Sequence, residues 1–244
     1  MKVALFIPCF INQFYPKVGI ATLELLEKLG CDAEYPIAQT CCGQPLANTG
    51  CEQDATRVYH HFVETFEDYD YIVAPSGSCV YHIREHYDII EQTETVQQIR
   101  NRTLELSEFL LDVLKIKKLN AKFPHKVGLH QGCHGLRGLR LAQSSEKAAP
   151  YFSKINTLLE MVEDLELVNL NKKDECCGFG GTFAVTQAAV SAKMGKDRIT
   201  DHIQNGANII TSADMSCLMH LEGLIKRKKQ NLKVMHYAEI LNMT

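Results

Sequence analysis

The chain repeats itself, and the repeat is written in cysteine. Val3-Ala4-Leu5-Phe6-Ile7-Pro8-Cys9 aligns without gaps on Val127-Gly128-Leu129-His130-Gln131-Gly132-Cys133. Cys41-Cys42-Gly43 matches Cys176-Cys177-Gly178. Ile72 to Cys79 and His82 matches Ile210 to Cys217 and His220, with isoleucine seven residues before the cysteine and histidine three after it. Leu106-Ser107-Glu108-Phe109-Leu110 resembles Tyr237-Ala238-Glu239-Ile240-Leu241. Landmarks recurring in one order indicate a duplicated domain. Two copies are too few for a solenoid, in which several repeats must stack to bury a core. We therefore expect one cysteine-rich domain over residues 1–115 and a second over residues 125–244. The segment between them, Lys115–His125, is lysine-rich, lacks cysteine and reads as a linker.

Within each copy, short apolar runs alternate with helical patterns. Val3–Ile7, Asp32–Ile37 and Tyr71–Ala74 have strand character in the first copy, and Lys126–His130, Leu165–Leu170 and Asn208–Thr211 in the second. Helices are expected from Pro16 to a cap at Gly30, over Asp54–Phe66, after Pro75-Ser76-Gly77, over Ala188–Gln204 and over Met215–Lys226. This alternation predicts an α/β protein of two pseudo-symmetric halves, each a βαβ-type domain with a parallel sheet. Cys9, Cys41, Cys42 and Cys79 all follow a predicted strand, as do Cys133, Cys176, Cys177 and Cys217. Ligands of such sheets gather beyond the carboxyl ends of the strands. Each quartet is therefore expected to converge on one site.

The bulk properties narrow the chemistry. A formal net charge of −3 leaves no basic excess for nucleic acid. The apolar run at the N-terminus is too short for a signal segment, and no stretch reaches the ~20 apolar residues of a membrane span. A soluble, cytoplasmic protein is expected. Ten cysteines in such a setting point to metal or redox chemistry and away from disulfides.

Soft thiolates suit iron–sulfur clusters and zinc. The two short C-x₂₋₄-C hooks usual in structural zinc sites are absent from both copies. Adjacent cysteines can reach different corners of a cluster, so a cluster is favoured over zinc, with a thiol–disulfide role behind both. Cys31 and Cys51 lack counterparts in the second copy and are read as packing residues. His82 and His220 are candidates for supporting contacts around the metal, with direct ligation the less favoured role. Gly178-Phe179-Gly180-Gly181-Thr182 lacks the lysine of a phosphate-binding loop, so nucleotide binding is not expected. Arg137 and Arg140 could clasp a carboxylate substrate.

Longer motifs extend the pattern: Phe14-Tyr15-Pro16-Lys17-Val18-Gly19-Ile20-Ala21-Thr22, Thr40-Cys41-Cys42-Gly43-Gln44-Pro45 and Ala74-Pro75-Ser76-Gly77-Ser78-Cys79. The second half adds Cys133-His134-Gly135-Leu136-Arg137, Glu175-Cys176-Cys177-Gly178-Phe179-Gly180-Gly181-Thr182-Phe183 and Asp214-Met215-Ser216-Cys217-Leu218-Met219-His220. In these the chain resembles the CCG cysteine-rich domains of heterodisulfide reductase and of the iron–sulfur component of glycolate oxidase. It resembles the lactate-utilization protein A family more closely still. That resemblance implies an iron–sulfur electron-transfer subunit, not autonomous as an enzyme, of a complex that oxidises L-lactate to pyruvate. The implied partners are a ferredoxin-type iron–sulfur subunit and a third subunit. One or two clusters per chain, of [4Fe–4S] type, are implied. Heterodisulfide reductase carries C-x-x-C where this chain has His82 or His220, which favours four thiolates per cluster over five. The alternatives are a zinc-stabilised scaffold and a chain that itself binds lactate through Arg137 and Arg140.

Overall fold

The computed structural model describes residues 1–243. Its two central strand pairs come from the most apolar short runs in the chain. β1 (Val3–Leu5) is wholly buried and pairs in parallel with β3 (Tyr71–Ala74), Val3 opposite Tyr71 and Leu5 opposite Val73. β2 (Ala33–Glu34) and β4 (Thr103–Glu105) flank them, giving the order β2-β1-β3-β4. The second half repeats this with β5 (Lys126–Leu129), β6 (Glu166–Leu167), β7 (Ile209–Thr211) and β8 (Lys233–Val234), in the order β6-β5-β7-β8. All pairings within both sheets are parallel. The protein is thus α/β, with two four-stranded parallel sheets of identical order.

The flanking strands are shorter than the sequence suggests. Only Ala33 and Glu34 of the expected 32–37 run pair with β1, because Pro36 has no N–H to donate and Ile37 is 93% exposed. The 165–170 run likewise contributes only Glu166–Leu167 as a strand, although the Val168 N–H still reaches the Val127 carbonyl at 2.9 Å.

Helices cover the sheets. The first half carries α1 (Cys9–Phe14), α2 (Pro16–Lys28), α3 (Gln44–Asn48), α4 (Glu52–Phe66), α5 (Gly77–His86), α6 (Glu94–Arg102) and α7 (Leu106–Glu108). A π-helical turn over Phe109–Val113 extends α7. The second half has a π-helical turn over His134–Gly138, then α8 (Lys154–Leu159), α9 (Thr182–Thr186), α10 (Ala188–Gln204), α11 (Met215–Lys228) and α12 (Tyr237–Asn242). α2 has proline at its first position, and Gly30 adopts a positive φ of 82° just past its end. The matched segments at the ends of the copies are both helix starts with reciprocal capping boxes, Glu105 with Glu108 and His236 with Glu239.

One hydrophobic cluster runs through both halves. Val18 and Leu25 of α2 belong to the same core as Ile240 and Leu241 of α12, and α2 packs on α12. Each such fully buried side chain contributes roughly 1.5–3 kcal/mol. A second cluster lies on the other face of the first sheet, around Phe6, Tyr59, Phe62, Phe66 and Tyr87. There Phe6 meets Phe62 edge-to-face at 5.0 Å, and Tyr59 stacks on Tyr87 at 4.2 Å.

The lysine-rich segment between the sheets is held at its centre. Ala121 and Phe123 are buried, and both hydrogen-bond through the backbone to Glu163 at 2.8 Å. Among the described residues, no helix is long and apolar enough to cross a membrane.

Candidate metal centres

The order β2-β1-β3-β4 reverses direction between β1 and β3, which makes that point the topological switch of the sheet. Cys9 opens α1 directly after β1, and Cys79 lies in the first turn of α5 after β3. Cys41 and Cys42 come from the loop after β2. The second half repeats each placement: Cys133 after β5, Cys176 and Cys177 after β6, and Cys217 in the first turn of α11 after β7.

These positions bring the thiols of each quartet together. Cys9 Sγ lies 3.6 Å from Cys41 Sγ. Cys42 contacts both Cys41 and Cys79 through its thiol. In the second half Cys133 contacts Cys176, and Cys177 contacts both Cys176 and Cys217. All ten cysteines have free thiols.

The protonation of such a group is divided. Hydrogen bonds from Cys42 and Cys9, with further help from the Gly43 N–H, pull the Cys41 thiol well below its usual range. The opposite shift falls on its neighbours: Cys9 and Cys42 are pushed up, chiefly by donating hydrogen bonds to Cys41, and burial adds to the effect. Cys176 is likewise lowered by Cys133 and Cys177, which are raised in turn. Four thiolates at this spacing cannot coexist without added positive charge. A metal centre would supply that charge, and its binding would release the protons.

The glycine of each CCG motif is required by shape. Gly43 has φ +88°, and a Cβ there would sit 2.5 Å from the Tyr59 ring. Gly178 has φ +85°, and a Cβ would meet the Ser191 carbonyl oxygen at 2.7 Å. In return each backbone N–H points at sulfur, Gly43 to Cys41 Sγ at 3.4 Å and Gly178 to Cys176 Sγ at 3.3 Å. Such donors stabilise negative charge on a thiolate.

Of the histidines after the third landmark, His82 is turned to another partner, whereas the buried Nε2 of His220 has no hydrogen-bond partner. His82 Nε2 shares a hydrogen bond with the Tyr59 hydroxyl at 3.0 Å, and its ring stacks on His86 at 5.0 Å. Burial lowers its pKa to about 4, so the ring is neutral. His220 Nε2 faces Gly195 of α10, where a Cβ would lie 2.9 Å away. A further histidine, His130, lies at the second quartet: one of its ring nitrogens and the sulfurs of Cys177 and Cys217 are all within 4.8 Å of one another. Of the two cysteines outside the quartets, Cys31 is buried as expected. Cys51 is exposed in the cap before α4, so packing does not account for it.

Arg137 is half-exposed and paired with Glu146, with a further hydrogen bond to the Asp174 carbonyl. It lines an open cleft with Lys147, Tyr151, Lys172 and Lys173. Arg140 has φ 56° and faces a smaller recess formed with Leu136, Ala142 and Phe152. The two arginines line a shared recess, but Arg137 is already engaged by a carboxylate of the chain itself.

The two centres adjoin a common seam. α1, which begins at Cys9, packs on α11, which carries Cys217. Reciprocally, α5 with Cys79 packs on the π-turn that follows Cys133. Phe10 meets Phe179 edge-to-face at 5.8 Å, and Tyr15 donates to Glu222 at 2.9 Å. Tyr81 lies over His134 at 5.1 Å.

A duplicated α/β fold with a thiol quartet at each switch point defines a cysteine-rich domain protein, and the CCG cysteine-rich domain model matches residues 3–84 and 127–222. A protein called lactate utilization protein A from Halalkalibacterium halodurans is 42% identical, over 99% of this chain and 97% of that one. One of the same name from Bacillus subtilis is 38% identical over 99% of both. The chain belongs to the lactate utilization protein A family. Among solved structures, a glutamate racemase isoform from Bacillus anthracis aligns over 98% of this chain and 78% of that one, at 11% identity and a TM-score of 0.37.

Proposed function

We propose that the chain is an iron–sulfur electron-transfer subunit of a cytoplasmic system that oxidises L-lactate to pyruvate. Its two thiol quartets hold one centre each, in domains spanning residues 1–115 and 125–244. The observation that carries this reading is the reciprocal seam, in which α1 meets α11 and α5 meets the π-turn after Cys133. Two one-electron centres placed on either side of such a contact form a relay. The names of the relatives supply the lactate context.

The donor set fits the group. Each quartet offers soft sulfur and backbone N–H groups aimed at it, with Cys42, Cys79 and Cys177 buried and the other five partly exposed. An iron–sulfur cluster supplies reversible one-electron storage when bound. The chain's own contribution is to hold the thiols convergent, give up their protons on loading and shield the site. Partner subunits, one of them a ferredoxin-type iron–sulfur protein, deliver and remove electrons.

Anaerobic purification followed by iron, sulfide and zinc analysis tests the reading. Brown protein with iron and sulfide in equal amounts supports it. Colourless protein with stoichiometric zinc would replace it with the scaffold alternative. If the chain alone oxidised lactate with an artificial acceptor, the relay role would fall, and Arg137 and Arg140 would be the first residues to test.

A further inference from the structure

The two halves superpose their landmarks but not their interiors. At the end of β1, the Phe6 N–H bonds to the Val73 carbonyl at 2.9 Å. At the end of β5, the His130 N–H bonds to the Thr211 carbonyl at 2.8 Å. Phe6 and His130 therefore occupy one position of the repeat. Phe6 packs among aromatic rings. His130 is 1% exposed, and neither of its ring nitrogens has a hydrogen-bond partner. The helix above it is polar too: Arg198 and His202 of α10 are fully buried and share a hydrogen bond at 3.3 Å.

A neutral imidazole carries one donor and one acceptor, and leaving both unmet in a dry interior is costly. A polar ring retained where the duplicate has phenylalanine therefore requires a partner. The sulfurs of Cys177 and Cys217 define where that partner would sit, since His130 shares a 4.8 Å neighbourhood with both. Ligands of one metal ion stand at about this separation or slightly closer, given metal–sulfur and metal–nitrogen bonds of ~2.3 and ~2.1 Å.

We propose that His130 is a fifth donor to the centre of the second half, making the two centres chemically unequal. The inference rests on the reading that the quartets hold metal. The first centre is bound by thiolates alone, because Phe6 fills the matching position and His82 is committed to Tyr59. The second combines four thiolates with an imidazole. An added imidazole changes the donor set and the hydrogen bonding around the cluster, and both set its reduction potential. The two centres then differ in reduction potential.

The test uses the intact chain purified anaerobically, with ¹⁵N-histidine or at natural abundance. Pulsed EPR of the reduced protein should show a strongly coupled nitrogen that changes with histidine labelling. The coupling should vanish in His130→Phe and in His130→Cys, the latter keeping its iron. In a redox titration followed by absorbance, His130→Phe should shift one couple and leave the other in place. Iron and sulfide present without histidine coupling, or a coupling that survives both variants, would overturn the inference and leave the iron–sulfur reading intact. Absence of iron and sulfide from the wild-type protein would overturn both.

Discussion

Ser76 and Asp214 stand at the same place in the two copies, three residues before Cys79 and Cys217, and they meet across the seam: the Ser76 hydroxyl donates to Asp214 Oδ1 at 3.1 Å. The same carboxylate accepts the Ser78 N–H at 2.9 Å, at the start of α5. A negative charge there also complements the positive end of that helix. The local two-fold relation between the halves thus passes through a serine–aspartate pair, and Gly77 lies against Gly135 beside it.

Asp214→Ala should cost about 3 kcal/mol, since it strips the partner from a buried hydroxyl and a helix N–H. Asp214→Asn keeps one acceptor oxygen and should recover part of the loss. Urea denaturation of both variants measures the difference. Equal stability of alanine variant and parent would show that the pair is incidental.

Cys176→Ser should remove one centre and spare the other. A hydroxyl is a harder and far less acidic donor than a thiol, so iron per chain should drop to roughly half. Cys9→Ser should give the matching loss in the first half. Circular dichroism should remain that of the parent, as the core does not depend on either sulfur. Full iron content in either variant would argue against the quartets as ligand sets.

Gly43→Ala and Gly30→Ala make a matched pair. Both glycines have φ above +80°, but only at Gly43 does a Cβ run into a neighbour, the Tyr59 ring. Gly30→Ala should cost about 1 kcal/mol, from backbone strain alone. Gly43→Ala should cost roughly 3 kcal/mol and impair metal loading, since Tyr59 must shift. Similar thermal midpoints for the two would contradict the packing reading.

Glu105 should make stability fall as pH rises from about 4.5 to about 7. Burial raises its pKa to about 7 from an ordinary 4.5, and the Tyr237 hydroxyl donates to it at 2.7 Å. Between those values the unfolded chain has lost the proton and the folded chain retains it. The stabilisation is thus complete below the unfolded pKa and is lost as pH rises through the folded one. The change amounts to about 3 kcal/mol. Glu105→Gln, which cannot titrate, should flatten this part of the stability–pH curve. A variant with the same slope as the parent would place the titrating group elsewhere.

The duplicated landmarks carry most of what the sequence discloses about fold and site. Buried runs such as Tyr71–Ala74 are legible because every side chain in them is apolar, and Ala188–Gln204 because its helical period is long. Thr103–Glu105 and Lys233–Val234 do not read as strands. Two or three residues at a sheet edge carry no period, and their pairing is decided by the neighbouring strand. His130 does not stand out as a site residue either, although it aligns opposite Phe6. A polar residue in a slot that the duplicate fills with phenylalanine is the available signal. Asp214 gives a weaker one, since aspartate before a helix is ordinary capping chemistry.

The packing of α2 on α12 has a consequence for how the chain is made. Glu24 bonds to Asn242, 218 residues further along, and Lys28 reaches the same asparagine. During synthesis, the first sheet can pair as soon as β4 leaves the ribosome, but the part of α2 that packs on α12 stays uncovered until α12 follows. For that interval this face of the first half remains wet. The nascent chain is therefore closed last along the seam between α2 and α12, and premature termination before residue 237 would leave a sticky first half for chaperones to meet.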